Sequence, residues 1–351
     1  MVALSSDDGF VDVTRVETSD VALGGDEINV PNKQFVELAS RDQWLRDELE
    51  RRTGSDATAI QSFERSRDLS QASIAQGRLT LETGDPTPSS DITAATTLHY
   101  TPFNGDLVSL WNSAESRWDV HQFPELDLSL SGLAANTNFD IFADIVDGEP
   151  ALTGDSAVAW ANSGAGTSVR ASAISQRNGI WVETSSDRRY LGTIRTTGVA
   201  GQCEDSQEKR FVFNAQNRIR RRMFKKYTGS HTYTSATLRY LANSSANNIS
   251  FVCGLESLIS ATFVLNARGT VSGVIGVNGL TKTSATDGIS ADASSDNSDT
   301  LGIPGFYSND TVFGYNFWAL LEQNKFNDAN GFVSGGNAGV FQTGIEGFGD
   351  F

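Results

Sequence analysis

The residues whose types could support catalysis or metal binding are few and scattered along the chain. The three histidines, His99, His121 and His231, show no spacing such as HExxH that would indicate a metal centre. Cys203 and Cys253 are too few and too far apart for a disulfide framework or a zinc site, and two buried thiols are favoured over the alternative of a single bridge. No serine occurs in a GxSxG motif. We therefore expect no catalytic, cofactor-binding or metal-binding residues, no cofactor, and no enzymatic activity.

Acidic residues are abundant but form no catalytic pattern. A glycosidase needs two carboxylates placed on either side of a sugar bond, and no spacing among the 43 acidic residues selects such a pair. Asp140, Asp144 and Asp147 lie in the segment NFDIFADIVDG, in which Asp140 and Asp144 share one face of a predicted strand. An acidic row facing an edge is the favoured interpretation, and calcium binding is the alternative.

The densest basic segment lies in the middle of the chain. A run of this kind can bind nucleic acid or another polyanion, but it alternates with apolar residues in an acidic chain. The favoured interpretation is a basic connector whose arginines pair with acidic neighbours; docking to a partner and polyanion binding are the alternatives. The basic residues are Arg218, Arg220, Arg221, Arg222, Lys225 and Lys226.

Composition excludes several classes of function. The 351 residues carry a formal net charge of -16, which repels phosphate backbones, so no nucleic-acid partner is expected. No apolar run reaches the 18 or so residues of a membrane-spanning helix, so no membrane insertion is expected either. Hydrophobic residues at 38% and charged residues at 20% are below the averages of globular proteins, and 33 glycines are typical of short strands and many turns.

The N-terminal part is predicted to consist of an extended, acidic leader over residues 1–32 and an amphipathic helix over residues 31–52. The helix would either pack on its own chain or a docking partner, or form a short symmetric bundle, because its pattern covers only two heptads. Its apolar face consists of Phe35, Leu38, Leu45 and Leu49.

After residue 70 the pattern changes to a period of two, which indicates strands. Asn104-Gly105 and Asp147-Gly148 are dipeptides typical of hairpin turns, and residues 281–300 are predicted to form a long surface loop. The expected fold is mainly β, with the leader and short helix followed by two antiparallel β-sandwich-like units. The predicted domains are an N-terminal anchor (1–70), a first β domain (71–196), a connector (197–234) and a C-terminal β domain (235–351).

Residues 188–222 read RRYLGTIRTTGVAGQCEDSQEKRFVFNAQNRIRRR, with Tyr-Leu-Gly-Thr, a turn, Glu-Asp-Ser and a basic-aromatic-Asn stretch. This segment resembles one that recurs in virion structural proteins of tailed bacteriophages. The strand-rich segment of residues 77–111, the segment SATLRYLANSSANNISFVCG and the segment GYNFWALLEQ are similar to neighbouring parts of those proteins. VALGGDEINVPNKQFVELASRDQWLRDELE resembles their N-terminal stretch.

The resemblance implies a non-enzymatic structural component of a bacteriophage virion, located on the surface of the particle. We expect a tail fibre or projecting appendage, anchored by its N-terminal region to other virion proteins of the baseplate or capsid. It would form a homotrimer and contact a glycan or protein of the host surface. The alternative is a capsid decoration or head fibre protein that stabilises the shell, and a glycan-degrading tailspike is the less favoured third interpretation.

Overall fold

The computed structural model describes residues 70–280, 288–289, 301–327, 329–335 and 342–351. At residues 288–289 and at Leu301 and Ile303 only the backbone is described. Gln71–Phe351 form one compact unit. Three predicted features lie outside the described residues: the leader, the helix and most of the loop at 281–300. The apolar residues of that helix are Phe35, Leu38, Leu45 and Leu49.

The prediction of a mainly β fold is confirmed. Helical structure in the described part is confined to residues 70–72 and to 3₁₀ turns such as Gly154–Ser156 and Leu241–Asn243. None of these helical segments is long and apolar enough to cross a membrane.

Strands are numbered in chain order. The first twelve are β1 (Gly77–Thr80), β2 (Ile92–Ala95), β3 (Thr97–Pro102), β4 (Leu107–Asn112), β5 (Arg117–Gln122), β6 (Leu126–Ser129), β7 (Asn138–Val146), β8 (Glu149–Ala151), β9 (Ala157–Ala159), β10 (Ile174–Arg177), β11 (Ile180–Glu183) and β12 (Arg189–Arg195). The others are β13 (Cys203–Asp205), β14 (Lys209–Arg210), β15 (Val212–Asn214), β16 (Arg220–Lys226), β17 (Ser230–Thr232), β18 (Arg239–Tyr240), β19 (Asn248–Arg268), β20 (Val271–Val277), β21 (Gly288–Ile289), β22 (Leu301–Asn324), β23 (Phe332–Ser334) and β24 (Gly344–Asp350).

The strands form three sheets and a separate hairpin. Strands β1, β3 and β6 make a small antiparallel sheet, and β4 pairs with β5. A second sheet has the order β10-β11-β12-β7-β8, with β15 on β12 and β9 on β7. The third and largest sheet contains the two longest strands, β19 of 21 residues and β22 of 24, which pair antiparallel from Asn248↔Ala319 to Ala267↔Leu301. The segment GYNFWALLEQ is therefore part of a strand.

One of the two predicted hairpin turns is confirmed. Asp147 and Gly148 join the paired strands β7 and β8 with φ of 54° and 87°, which is the left-handed backbone that a two-residue hairpin requires. The prediction for Asn104-Gly105 is wrong, because β3 and β4 belong to different sheets. There the chain turns around Gln76, whose backbone oxygen accepts hydrogen bonds from the N–H groups of Phe103 and Asn104.

Two main hydrophobic cores lie within the compact unit. The first contains residues from Leu79 to Val212, and the second contains residues from Phe213 to Phe351. The two cores meet between Val212 and Phe213, inside the segment of residues 197–234 for which a polar connector is predicted. That segment differs from the prediction. It contributes β13 to β17, and these strands pair with β2, β12, β19, β23 and β24. The segment is part of the sheets because its apolar residues, such as Phe213 and Met223, are fully buried.

Candidate functional site

The basic segment forms strand β16, which pairs with β24 along its whole length, from Arg220↔Asp350 to Lys226↔Gly344. Met223 is fully buried in the second core. Because side chains alternate along a strand, Arg221 and Lys225 share the side of Met223, and Arg220, Arg222 and Lys226 lie on the opposite side. The predicted basic residues are therefore divided between the two faces of one sheet.

On the inner side, basic groups are neutralised by acidic or carbonyl groups of the same chain. Arg221 lies 3.6 Å from Asp205 and donates to the carbonyl oxygen of Pro88 at 2.8 Å. The Lys225 Nζ atom lies 2.7 Å from Glu208. Burial lowers the pKa of Arg221, opposed by Asp205. This arrangement favours the structural interpretation of the inner residues.

Arg218, which lies just before β16, packs on the second core. Its guanidinium group lies 4.6 Å from the centroid of the Phe213 ring and donates to Ser257 Oγ at 3.4 Å. Burial lowers the pKa of Arg218. The residue therefore contributes to packing as well as charge.

The opposite side of this sheet is an open surface, which we call the outer face. It is formed by alternate residues of β16, β24, β19 and β22, in rows that follow the strand register. The rows are Arg222–Phe348–Ser260–Ser308, Phe224–Glu346–Thr262–Phe306 and Lys226–Gly344–Val264–Pro304.

Aromatic and guanidinium groups are interleaved on the outer face. The Arg222 guanidinium lies 4.6 Å from the Phe224 ring centroid, and its Nε atom lies 2.5 Å from Glu346 Oε1. Arg220 lies 5.1 Å from the Phe348 ring centroid. Phe306 remains 44% exposed. Arginine and aromatic residues are enriched at protein interfaces, so the outer face is a candidate docking surface.

The predicted acidic row at residues 140–147 has a different arrangement from the one expected. Asp140 is buried, and its Oδ2 atom lies 2.6 Å from Arg170 Nε, while Oδ1 accepts a hydrogen bond from Thr193 Oγ1 at 2.6 Å. Asp144 accepts a hydrogen bond from Ser156 Oγ at 2.7 Å. The expectation of an edge-facing row is therefore wrong for Asp140, because Arg170 compensates the cost of burying that carboxylate.

Arg170 connects parts of the chain that are distant in sequence. Its guanidinium lies 4.7 Å from the Trp160 ring centroid and 5.1 Å from that of Phe313, and it donates to the carbonyl oxygen of Gly254. Burial raises the pKa of Asp140, which the positive charge of Arg170 opposes. The pair thus fixes β7 to β19 and β22.

The segment of residues 188–222 is closely packed and hydrogen bonded within the fold. The Tyr190 hydroxyl lies 2.5 Å from Thr193 Oγ1. Gly192 packs so closely on β15 that a Cβ atom there would lie 2.0 Å from the carbonyl oxygen of Phe213. Asn214 accepts a hydrogen bond from the Leu79 N–H and donates to the Leu79 carbonyl. The side chains of Tyr190, Thr193 and Asn214 thus form hydrogen bonds inside the fold, and Gly192 allows close packing of two strands.

A cavity of about 360 Å³ lies between the ends of β4, β7 and β12. Arg189 lines it, and because Arg189 pairs with Ala143, both side chains project from the same face of their sheet. Arg189 donates to the carbonyl oxygens of Ala72 and Ser109, but its Nε and Nη2 atoms have no hydrogen-bond partner within the described part of the chain. Burial lowers the pKa of Arg189 to about 10. The volume is at the low end of small-molecule sites.

A tyrosine, a histidine and a glutamate form a hydrogen-bonded series in the second core. The Tyr227 hydroxyl lies 2.9 Å from His231 Nδ1, and His231 Nε2 lies 2.6 Å from Glu322 Oε2. Glu322 is fully buried and also accepts a hydrogen bond from Arg239 Nε at 2.7 Å. Burial and the negative charge of Glu322 raise the pKa of Tyr227, so this phenol is not an activated nucleophile.

The two cysteines are free and buried, as the favoured interpretation predicted. Burial raises the pKa of Cys253 to about 12 and raises that of Cys203 as well. The side chains of Arg170 and Arg189 were missed by the sequence analysis. The signal that could have indicated Arg189 is its position at the start of the buried strand segment RYLGTIR.

Neither a scan of the chain against protein-family models nor a search of curated proteins gives a match.

Proposed function

We propose that the chain is a non-enzymatic structural component of a tailed-bacteriophage virion, a tail fibre or projecting appendage on the particle surface. The observation that carries the proposal is the structural role of residues 188–222 in the packing of the fold. Tyr190, Gly192, Thr193 and Asn214 of this segment are held in the fold by close packing and hydrogen bonds. A segment used in this way determines a shape, as a virion structural protein requires.

The outer face supports self-association. It combines partly exposed apolar side chains, such as Phe306 and Val264, with charged groups of both signs, such as Arg222 and Glu346. Interfaces between copies of a chain commonly use such mixed surfaces. We propose a homotrimer, with other virion proteins of the baseplate or capsid bound through the N-terminal region.

The host contact is proposed to be a non-covalent one with a surface glycan or protein. The cavity beside Arg189 is bordered by Trp111, whose ring lies 4.2 Å from the Arg177 guanidinium. An indole ring beside a small cavity suits contact with a sugar, so this cavity is the first place to test for glycan contact.

Location on the particle tests the main proposal. Particles of the phage that encodes the chain would be labelled with gold-conjugated antibody raised against residues 71–351 and imaged by electron microscopy. Label at the tail is expected. Label spread over the capsid would select the alternative, a decoration or head fibre protein that stabilises the shell, and absence of the chain from purified particles would overturn both.

Two solution measurements accompany the labelling. Light scattering coupled to gel filtration should give about three times the chain mass of 37.7 kDa, and a monomer at micromolar concentration would contradict the trimer. Incubation with capsule or lipopolysaccharide of the host should leave the glycan length unchanged. Shortened glycans would show that the third interpretation, a glycan-degrading tailspike, is the correct one.

A further inference from the structure

The small sheet of β1, β3 and β6 brings together one imidazole and two carboxylates from separate parts of the chain. His99 on β3 is the register partner of Asp127 on β6, and Glu125 precedes β6 by one residue. Because Glu125 and Asp127 are two residues apart, their side chains project from the same side of the strand. The His99 Nδ1 atom lies 2.6 Å from Asp127 Oδ1 and 3.5 Å from Glu125 Oε1.

Hydrogen bonds hold the Glu125 carboxylate in a fixed orientation, and those from the described residues leave one acceptor site over. Its Oε2 atom accepts hydrogen bonds from the Gly84 N–H and from Thr101 Oγ1, both at 2.6 Å. Its Oε1 atom accepts one hydrogen bond, from Thr83 Oγ1 at 2.5 Å. A carboxylate has about four lone-pair sites, so the remaining one is on Oε1, the atom nearest to His99. Hydrogen bonds that orient a carboxylate in this way are typical of the surroundings of a bound metal.

Among the described residues, no lysine or arginine forms an ion pair with this cluster. The most buried carboxylates elsewhere, such as Asp140, Glu183 and Glu322, each form an ion pair with an arginine. In the described ranges, by contrast, the ion pairs of Glu125 and Asp127 involve His99 alone. Two carboxylates that meet at one imidazole nitrogen therefore leave a local excess of negative charge.

We propose that His99, Glu125 and Asp127 form a binding site for a divalent first-row transition metal ion, with zinc as the best match. All three donor atoms lie within 4.8 Å of one another. Imidazole nitrogen favours zinc over calcium and magnesium, which prefer more numerous oxygen ligands. Three protein ligands leave the fourth tetrahedral position to water.

The spacing and the exposure of the donors fit this assignment. Zinc lies about 2.0–2.2 Å from nitrogen and oxygen ligands, so donors around one ion are separated by roughly 3–3.5 Å. The 3.5 Å between His99 Nδ1 and Glu125 Oε1 already meets this requirement. The 2.6 Å between His99 Nδ1 and Asp127 Oδ1 is a hydrogen bond, whose proton zinc would displace. Rotation of the Asp127 side chain, which is 64% exposed, would then bring this separation into the same range. Bound zinc would link β3 to β6 independently of the role proposed above for the whole chain.

The test is a zinc titration of the tag-free, full-length chain after removal of metal with EDTA and desalting. Calorimetry with zinc chloride is expected to give one ion per chain, with much weaker binding of magnesium and calcium chloride. His99→Ala and Asp127→Asn should each weaken zinc binding more than tenfold. His121→Ala, which removes a histidine of β5 instead, should bind zinc like the unaltered chain.

Cobalt provides a second measurement, since visible absorption of bound Co²⁺ reports its coordination. The absorption should appear with the unaltered chain and disappear with His99→Ala. Far-UV circular dichroism checks folding, and if His99→Ala is unfolded, Asp127→Asn at the exposed position decides the question. Absence of saturable zinc binding, zinc affinity unchanged in the folded variants, or calcium binding as tight as zinc binding would overturn the proposal.

Discussion

Val212 and Phe213 are consecutive residues of β15, and their side chains enter different hydrophobic cores. Val212 packs with the first core, and Phe213 with the second. The backbone between them pairs with β12 through Thr193↔Phe213 and Ile194↔Val212. One short strand therefore contributes side chains to both cores, so the cores are expected to unfold as one cooperative unit.

The first prediction concerns this shared strand. Phe213→Ala should lower the free energy of unfolding by about 3–5 kcal/mol, because it leaves a cavity at a fully buried ring. Hydrogen exchange followed by mass spectrometry in denaturant should show the same loss of protection in peptides from both cores. Phe326→Ala, at a ring that is 69% exposed, is the matched control and should change stability by less than about 0.5 kcal/mol. A loss of protection confined to peptides after residue 213 would contradict the coupling of the two cores through β15.

The second prediction uses two glycines in different surroundings. Gly192→Ala should destabilise the chain by about 3 kcal/mol or more, since the new Cβ would lie 2.0 Å from the backbone oxygen of Phe213, which cannot move independently of β15. Gly198→Ala places its Cβ in open space and should have almost no effect. Urea denaturation of both variants checks this. Equal stability of the two would show that β12 and β15 are less closely packed than the structure indicates.

The third prediction concerns the buried ion pair of Asp140 and Arg170. Asp140→Asn or Arg170→Met alone should lower the free energy of unfolding by about 3–5 kcal/mol, because each leaves one buried group uncompensated. The double variant should cost less than the sum of the two single changes. A double-mutant cycle by chemical denaturation measures this coupling. Strict additivity would indicate that the two groups do not interact energetically.

The sequence predicts local features of the fold well and distant associations poorly. The period of two identifies the β class, and Asp147-Gly148 predicts its hairpin, because both signals lie within a few neighbouring residues. The burial of Asp140 depends on Arg170, 30 residues later in the chain. The inclusion of residues 197–234 in the sheets likewise depends on partners such as β24, which is far away in sequence.

The same limit applies to the candidate sites. His99 is separated by 28 residues from Asp127, and only the register of β3 with β6 brings them together. Five of the six basic residues at 218–226 lie on β16, and strand alternation places them on both faces of a sheet. Spacing along the chain therefore indicates a site only where its ligands lie on one element.

The fourth prediction concerns the two thiols. Cys203 and Cys253 are fully buried, and their raised pKa keeps them protonated at neutral pH, so neither should react with iodoacetamide in the native chain. Both should react in guanidinium chloride, as measured by mass spectrometry. Ser245→Cys, at an exposed position, should be labelled rapidly under native conditions and serves as the positive control. Native labelling of either natural cysteine would contradict its buried position.

The last prediction concerns the dependence of stability on pH through Glu183. Burial alone would raise the pKa of this carboxyl group, but hydrogen bonds from Ser186, Arg188 and Ser172 outweigh it and hold the pKa below the ordinary value of 4.5. A carboxyl group with a lowered pKa stabilises the folded state above its unfolded pKa, and this contribution disappears as the pH falls through the folded value.

Glu183→Gln should therefore lower the free energy of unfolding by about 1–3 kcal/mol at pH 7, and the difference from the unaltered chain should shrink as the pH is lowered below 4.5. Urea denaturation at a series of pH values measures both quantities. Glu82→Gln, at an exposed glutamate, is the matched control and should leave stability nearly unchanged throughout the series. A difference for Glu183→Gln that stays constant with pH would mean that the ionised carboxylate does not stabilise the fold.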